Sequence, residues 1–326
     1  MTSPPAIQFI SPPEGLIVDL VTPLTGGGKL DRPGLARLLD RGALAANGIL
    51  VGSPLAGEAL ELPLELRRQL LSEALQALGG RKPLFFCITG ISGAETRELA
   101  RAVQEECQRR KYAGRVFLAD LPLWYHSNRG LPQMYQGLQA EAPLPVVLLN
   151  LPRVVRGRAQ VFKHLNLRTQ VFKKAAALPG IVGLIYQGEM RRFLNYHHAA
   201  AGRPGFAFYE ADEARFLTRP GTWGVISGGA QLLPGIWPRV ARACLHPEEL
   251  ADDPGRYELW DLSQQLLRLA QVYQDAPAAL AKHALAAQGV IADAAVASGT
   301  LRAAPDRQKK FLDLLASFYE GGGEVD

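Results

Sequence analysis

The chain is poor in cysteine and has no long apolar run. Its three cysteines, Cys87, Cys107 and Cys244, lie far apart in 326 residues, which argues against structural disulfides and against a cysteine-based zinc site. The longest apolar runs are no longer than a β-strand, so no membrane span is predicted. The opening Met1–Pro5 has neither a charged nor an apolar signal region. These absences together predict a cytoplasmic protein, and the 48% of hydrophobic residues predicts a large core.

Acidic residues are absent from residues 142–188, although the net charge of the whole chain is only +5. A basic segment, 153–174, lies inside this stretch. Its positive residues are Arg153, Arg156, Arg158, Lys163, Arg168, Lys173 and Lys174. One interpretation is a patch for an anionic ligand or polyanion. We favour a solvated helix face with a subunit contact, because no nucleic-acid motif is present, and no nucleic-acid partner is predicted.

Strand-like runs alternate with amphipathic runs over the first 240 residues or so, which indicates βα units around a parallel sheet. A doubly wound sheet is the rival, but no Gly-x-Gly-x-x-Gly follows the first strand. We therefore predict an α/β fold, a (β/α)8 TIM barrel, with its site at the carboxyl ends of the strands. The predicted strands are Gly15–Val21, Gly48–Gly52, Leu84–Ile88, Val116–Leu121, Val146–Asn150, Ile181–Ile185, Phe206–Tyr209 and Gly224–Ser227.

The pattern changes after the eighth predicted strand. Tyr257–Gln274, Pro277–Gln288 and Pro305–Tyr319 have helical spacing and no strand between them. The sequence therefore predicts two parts: a barrel over residues 1–245 and a C-terminal helical module over residues 246–326.

Four segments, in chain order, resemble motifs of one known family. Gly15–Leu24 is similar to a first strand ending in "Val-Thr-Pro-Phe", and Gly52–Arg67 to a "Gly-Thr-Thr-Gly-Glu" loop with its helix. Leu144–Pro152 resembles "Leu-Pro-Val-Ile-Leu-Tyr-Asn-Val-Pro", and Gly224–Pro234 resembles "Gly-Val-Ile-Ser-Val-Thr-Ala-Asn-Val-Pro". The family is that of dihydrodipicolinate synthase and N-acetylneuraminate lyase, which are pyruvate-dependent lyases. The resemblance implies a TIM barrel, a homo-oligomer (dimer or tetramer) and a small carboxylate or oxo-acid ligand.

The same resemblance places hydrocarbons at two catalytic positions. The family's sixth strand, "Ile-Val-Gly-Ile-Lys", ends in the Schiff-base lysine, and the matching position here is Ile185. The relay tyrosine at the end of strand five corresponds to Leu149, and the paired threonines are replaced within Ser53–Ala56. Since an alkyl side chain cannot form an imine, the resemblance implies that Schiff-base chemistry is lost. Among nine lysines, only Lys29 is predicted near the catalytic end.

Three residues near the predicted strand ends are candidates for acid–base catalysis. Tyr125 resembles the family's tyrosine pair after strand four, although an interface packing role is equally compatible with it. His126 carries a group that ionises near neutral pH, but a solvated loop histidine is the favoured interpretation. Glu58 follows strand two in the loop that resembles the family's binding loop.

Polar residues at the other strand ends complete the predicted site. The predicted ligand-binding residues are Ser53, Asn150, Arg153, Ile226 and Ser227. Glu210, Asp212 and Glu213 after strand seven could hold a cation or act as bases; we favour helix N-terminal charges. No metal site and no cofactor is predicted.

Three functions are compatible with this sequence. The first, which we favour, is a barrel that binds a small carboxylate or oxo-acid without aldol chemistry. The second is an acid–base enzyme, or carbon–carbon lyase, of altered mechanism in the same pocket. The third, a pyruvate lyase using another amine, is disfavoured by Leu149 and Ile185.

Overall fold

A computed structural model describes residues 10–157, 164–218, 222–250 and 254–320. The opening Met1–Pro5 and, in the basic segment, Arg158 and Lys163 lie outside the described residues. Eight parallel strands hydrogen-bond in chain order and close into a barrel, so the predicted TIM barrel is confirmed. The strands are β1 Gly15–Leu20, β2 Gly48–Val51, β3 Leu84–Cys87, β4 Val116–Asp120, β5 Val146–Asn150, β6 Ile181–Tyr186, β7 Ala207–Glu210 and β8 Gly224–Ser227.

The barrel closes where β1 meets β8, and glycine makes this closure possible. Gly15 pairs with Gly224, and a Cβ on Gly224 would lie 2.1 Å from the carbonyl oxygen of Gly15. Gly15 also has φ +106°, a conformation that residues with a Cβ seldom adopt. Both positions therefore exclude a side chain.

The barrel interior is filled by large side chains near its amino-terminal end. The rings of Phe85 and Phe117 stack with centroids 4.8 Å apart, and Tyr209 meets Phe85 edge to face. All three side chains are buried. This aromatic layer closes the bottom of the barrel, which leaves the carboxyl ends of the strands as the open end.

Helices follow the strands and cover the outside of the barrel. Asp31 begins the first of them by accepting a hydrogen bond from the Gly34 amide at 2.9 Å, and Ser92 does the same for Glu95 in the third. The helices of the barrel are α1 Arg32–Ala45, α2 Leu64–Leu78, α3 Gly93–Arg110, α4 Leu131–Glu141, α5 Pro152–Gly157, α6 Thr169–Ala176, α7 Met190–Ala199, α8 Glu213–Thr218 and α9 Trp237–Leu245. In the described part of the chain, no helix is both long and apolar enough to cross a bilayer.

Three further helices follow the barrel, as the sequence predicts: α10 Arg256–Tyr273, α11 Pro277–Ala287 and α12 Pro305–Glu320. Their buried residues, including Leu269 and Phe311, belong to the same hydrophobic cluster as the barrel core. Asp31 joins the two parts, because its second carboxylate oxygen accepts a hydrogen bond from the Ala292 amide at 2.8 Å. The division between residues 245 and 246 stays a prediction.

Candidate functional site

A cleft lies at the carboxyl ends of the strands. Its walls come from β1, from β8 and from the residues after β6 and β7, and α10 covers its outer side. The cavity volume is about 50 Å³, which is room for a few water molecules or one small polar group. Among the described residues, no lysine, arginine or histidine lines this cleft. No group of three or more His, Cys, Asp or Glu side chains in that part of the chain is placed to hold a metal ion.

Asp19 of β1 is the least exposed carboxyl of the cleft, at 1%. Its Oδ2 accepts a hydrogen bond from the Ser53 hydroxyl at 2.7 Å and from the Ala56 amide at 3.3 Å. Its Oδ1 is buried and has no hydrogen-bond partner. Burial raises the pKa of Asp19 to about 7, the hydrogen bonds from Ser53 and Ala56 oppose this rise, and Glu213 adds to it. A carboxyl in this state can both take up and release a proton near neutral pH.

The loop after β2 holds Ser53 against Asp19. The Ser53 hydroxyl oxygen accepts hydrogen bonds from the amides of Leu55, Ala56 and Gly57 at 3.0, 3.1 and 3.2 Å. A Cβ at Gly57 would lie 2.3 Å from the Ser53 amide nitrogen, so only glycine fits where the loop folds back. This turn determines the direction in which Ser53 donates.

Glu213, the first residue of α8, is the second buried carboxyl of the cleft. Its Oε1 accepts a hydrogen bond from the Gly229 amide at 3.0 Å. Burial raises its pKa, while the nearby hydroxyls of Ser227 and Tyr273 and the hydrogen bond from Gly229 lower it. Tyr273, the last residue of α10, also lines the cleft. The C-terminal helices thus contribute a hydroxyl to the barrel mouth.

Two of the predicted site residues are brought to this cleft. Ile226 lines it, and Ser53 holds Asp19. Ser227 lies beside it, accepting a hydrogen bond from the Ala230 amide at 2.9 Å and contacting Glu213. Arg153, on α5, is exposed and reaches the rim, where it donates to Gln274 Oε1 at 3.3 Å.

The other predicted residues have partners away from the cleft. Glu58 forms a buried ion pair with Lys282. The Tyr125 hydroxyl donates to Asp120 at 2.7 Å, and His126 is half-buried with its Nδ1 2.6 Å from the Ser127 carbonyl oxygen.

Asn150, Leu149 and Ile185 also lie apart from the cleft wall. The Asn150 amide donates to the Tyr196 hydroxyl at 3.0 Å and so faces the helix layer. Leu149 and Ile185 are register partners on β5 and β6, and both are buried. Two hydrocarbons therefore lie side by side in the barrel wall.

The residues after β7 have different roles. Asp212 caps α8 by accepting from the Arg215 amide at 3.1 Å, as favoured from the sequence. Glu213 instead points into the cleft, which helix-end charge alone did not predict. Burial raises the pKa of Glu210 to about 8, and the Asp212 amide donates to it. Tyr273 was missed altogether, because nothing in its local sequence marks it as facing a strand end 250 residues away.

The buried carboxyl of Asp19 leads to a first prediction, on pH. We expect the free energy of unfolding to fall as the pH rises from about 4 to about 7. In this range Asp19 ionises freely in the unfolded chain but resists ionisation in the folded one. Asp19→Asn should make the free energy of unfolding less dependent on pH, as measured by urea denaturation across this range.

Part of this pH dependence should remain in the variant, because the pKa values of Glu210 and Glu213 are also raised. Asp40→Asn, a surface change, is the control; a D19N slope as steep as that of the wild type would contradict the prediction.

The fold and the cleft define a (β/α)8 barrel with a small polar site at the carboxyl ends of its strands. The sequence model of the dihydrodipicolinate synthetase family matches residues 12–317. The chain belongs to this family.

Two relatives of this chain carry the same enzyme name. It is 30% identical over 262 residues to the 4-hydroxy-tetrahydrodipicolinate synthase of Stenotrophomonas maltophilia (strain K279a), covering 77% of this chain and 79% of that one. It is 31% identical over 231 residues to the enzyme of that name from Thiobacillus denitrificans, covering 70% and 73%.

Solved structures share the fold over almost the whole chain. The 4-hydroxy-tetrahydrodipicolinate synthase of Methylacidiphilum fumariolicum SolV superposes with a TM-score of 0.75 at 22% identity, covering 94% of this chain and 97% of that one. A prophage protein of the same family from E. coli K12, in complex with pyruvate, gives 0.76 at 21% identity, covering 94% and 98%.

Proposed function

We propose that this protein binds a small polar molecule at the barrel mouth and exchanges protons with it through Asp19 and Glu213, without forming an imine with an oxo-acid. The observation that carries this proposal is the pair of buried carboxyls facing one cleft. Titratable groups with shifted pKa values in a cleft are typical of functional sites.

The argument against an imine starts from β6. Side chains alternate between the two faces of a strand, and Gln187 lines the cleft. Ile185, two residues earlier, therefore belongs to the same inward row, the row in which the family resemblance expects the lysine. A hydrocarbon there supplies no nucleophile. Leu149, its neighbour on β5, supplies no hydroxyl for a proton relay.

The two carboxyls have different surroundings, which suits different roles. Asp19, with a pKa of about 7, populates both protonation states near neutral pH and is the proposed proton acceptor. Glu213 has a raised pKa and contacts the Ser227 and Tyr273 hydroxyls, so its protonated form is the proposed donor. Pairs of acids whose environments differ in this way serve as acid and base in other enzymes.

A second candidate is a binding protein without turnover, and its ligand would be the small carboxylate or oxo-acid that the family resemblance implies. Arg153 at the rim favours it, because a guanidinium is suited to a carboxylate. For either candidate, the resemblance supports a homo-oligomer as the assembly.

Pyruvate with borohydride provides the test of the imine-free site. We expect no stable mass addition to this protein by mass spectrometry, because no lysine among the described residues lines the cleft. The Stenotrophomonas maltophilia relative, treated in parallel, is the positive control that the reaction conditions work. An adduct on any lysine of this chain would overturn the proposal.

A screen of small molecules by thermal denaturation then separates the two candidates. A ligand that binds the folded state raises the melting temperature by mass action, and NMR of the same mixture detects product. If a ligand stabilises the protein and is turned over, and Asp19→Asn abolishes the turnover, the acid–base enzyme is supported. Stabilisation without turnover supports the binding protein. Stabilisation that D19N leaves unchanged would exclude this cleft as the site.

A further inference from the structure

The cleft is electrically one-sided. Asp19, Asp212 and Glu213 line it, and in the described part of the chain no cationic side chain does so. Asp19 is 1% exposed, yet its Oδ1 has no hydrogen-bond donor. A buried carboxylate oxygen without a donor is costly, and a cationic donor at this oxygen would stabilise the ionised form of Asp19. A ligand carboxylate at this depth would instead add a further negative charge.

The rim has the opposite sign. The Arg153 guanidinium is exposed and donates to the side chain of Gln274, and Gln274 itself lines the cleft. The positive group is therefore one side chain away from the cavity, on its outer side. A ligand that enters the cleft meets carboxyls inside and a guanidinium at the mouth.

We propose that the cleft binds a small amino acid as a zwitterion, with its ammonium group against the Asp19 carboxylate and its carboxylate toward Arg153. This inference rests on the proposed function for the location of the ligand, and it names the chemical class of that ligand. An ammonium group has three N–H donors and no acceptor, which matches the inner wall. A guanidinium pairs with a carboxylate through two parallel hydrogen bonds. The cavity of about 50 Å³ limits the inner part of the ligand to the ammonium group and a short side chain.

The charge pattern also determines how binding depends on pH. The groups that face Asp19 are Ser53 and the Ala56 amide from the loop after β2, Glu213 from α8, and Tyr273 from α10; Asp212 lies in the same cleft wall. Ammonium binding favours the ionised form of Asp19, so the affinity should rise with pH through about 7 and a proton should be released. Binding of an oxo-acid should show the reverse dependence.

Calorimetric titrations with L-alanine, ethylamine and pyruvate test the inference on the intact protein, near pH 6 and near pH 8. We expect L-alanine to bind at least about tenfold more tightly than pyruvate, because losing a charged hydrogen bond weakens binding by about that factor. Its affinity should be higher at the higher pH, with proton release seen as a dependence of the heat on the buffer. Pyruvate binding as tightly as L-alanine, or L-alanine not binding, would overturn the amino-acid ligand. Neither result would be evidence for an imine, which the borohydride experiment tests separately.

Two variants, each with a matched control, locate the two ends of the ligand. Asp19→Asn keeps the shape and an acceptor for Ser53 but removes the charge, so both L-alanine and ethylamine should bind about tenfold more weakly. Arg153→Gln should weaken L-alanine about tenfold and leave ethylamine unchanged, because ethylamine has no carboxylate. Asp40→Asn and Arg156→Gln are the surface controls. If R153Q and R156Q bind L-alanine equally, the proposed orientation is wrong, whatever the folding behaviour of D19N.

Discussion

Replacing Lys282 by methionine should lower the free energy of unfolding by about 3 to 5 kcal/mol, the range for breaking a buried ion pair by removing one partner. Lys282 is 0% exposed, and its ammonium contacts Glu58 and donates to the Ala295 carbonyl at 2.8 Å. Methionine fills a similar volume but leaves the Glu58 carboxylate buried without its cation. Urea denaturation followed by circular dichroism measures the change.

The cost is large because Glu58 holds two parts of the chain together. Its Oε1 accepts hydrogen bonds from the Ala297 amide and the Thr300 hydroxyl, both at 2.8 Å. Its backbone has φ 58°, a left-handed conformation that costs free energy for a residue with a Cβ. The surrounding contacts must therefore maintain this conformation. Glu58, a candidate catalytic residue by sequence, is placed here as a link between the loop after β2 and the C-terminal helices.

Two further variants make this prediction specific. Lys310→Met, on the exposed side of α12, controls for the loss of a lysine charge and should change the stability little. The double variant Glu58→Gln/Lys282→Met removes both charges and should recover part of the loss, since an uncharged pair avoids the desolvation cost. A K282M protein as stable as K310M would show that the ion pair does not stabilise the fold.

Replacing Asp120 by alanine is the second change with a large expected effect. Each donor left unpaired should cost about 1 kcal/mol or more, so the free energy of unfolding should fall by about 3 kcal/mol or more. Three hydroxyls donate to this carboxylate: Tyr125 at 2.7 Å, Tyr135 at 2.7 Å and Thr89 at 2.8 Å. Asp120 ends β4 and is 0% exposed. Burial raises its pKa, and the three hydroxyls oppose the rise.

The network around Asp120 joins the second, third and fourth βα units. Arg67 of α2 donates to the carbonyl oxygens of Thr89 and Cys87 at 2.7 and 2.8 Å and lies close enough to stabilise the Asp120 charge. Removing the carboxylate therefore also takes a counter-charge from a buried guanidinium. The Tyr125 hydroxyl is one of the three donors to the Asp120 carboxylate.

Removing a single hydroxyl gives a stability loss with which the loss in Asp120→Ala can be compared. Tyr135→Phe removes one donor and leaves the carboxylate two others, so the loss should be about 1 kcal/mol. Asp40→Ala, at an exposed carboxylate paired with Arg81, should change the unfolding free energy by less. If D120A were no more destabilising than Y135F, the hydroxyls would have found other partners and the network argument would fail.

The boundaries of the strands were predicted from the sequence to within a residue or two. The eighth strand, Gly224–Ser227, was predicted as observed, while the seventh was predicted as Phe206–Tyr209 and observed as Ala207–Glu210. Buried strands of a parallel sheet are continuous apolar runs bounded by polar or glycine turns, so this signal is local. The helices of the C-terminal module were predicted equally well, because their apolar spacing is also local.

The composition of the cleft was less accessible to sequence reasoning. Ser53 and Ile226 were predicted near a ligand, and both are at the cleft. Glu58, equally polar and in the same loop as Ser53, turns away to Lys282. The two lie five positions apart, and no propensity or period distinguishes a side chain that faces the barrel axis from one that faces a distant helix.

The sequence by itself determined the order of strands and helices, their lengths and the family resemblance, because hydrophobic period and turn chemistry act between near neighbours. Only the tertiary structure decided that Asp19, Glu213 and Tyr273 share one cleft. Barrel closure brings β1 beside β8, and α10 packs across the mouth, so residues up to 254 positions apart meet. The partners of a buried carboxyl, and hence its protonation, depend on that meeting.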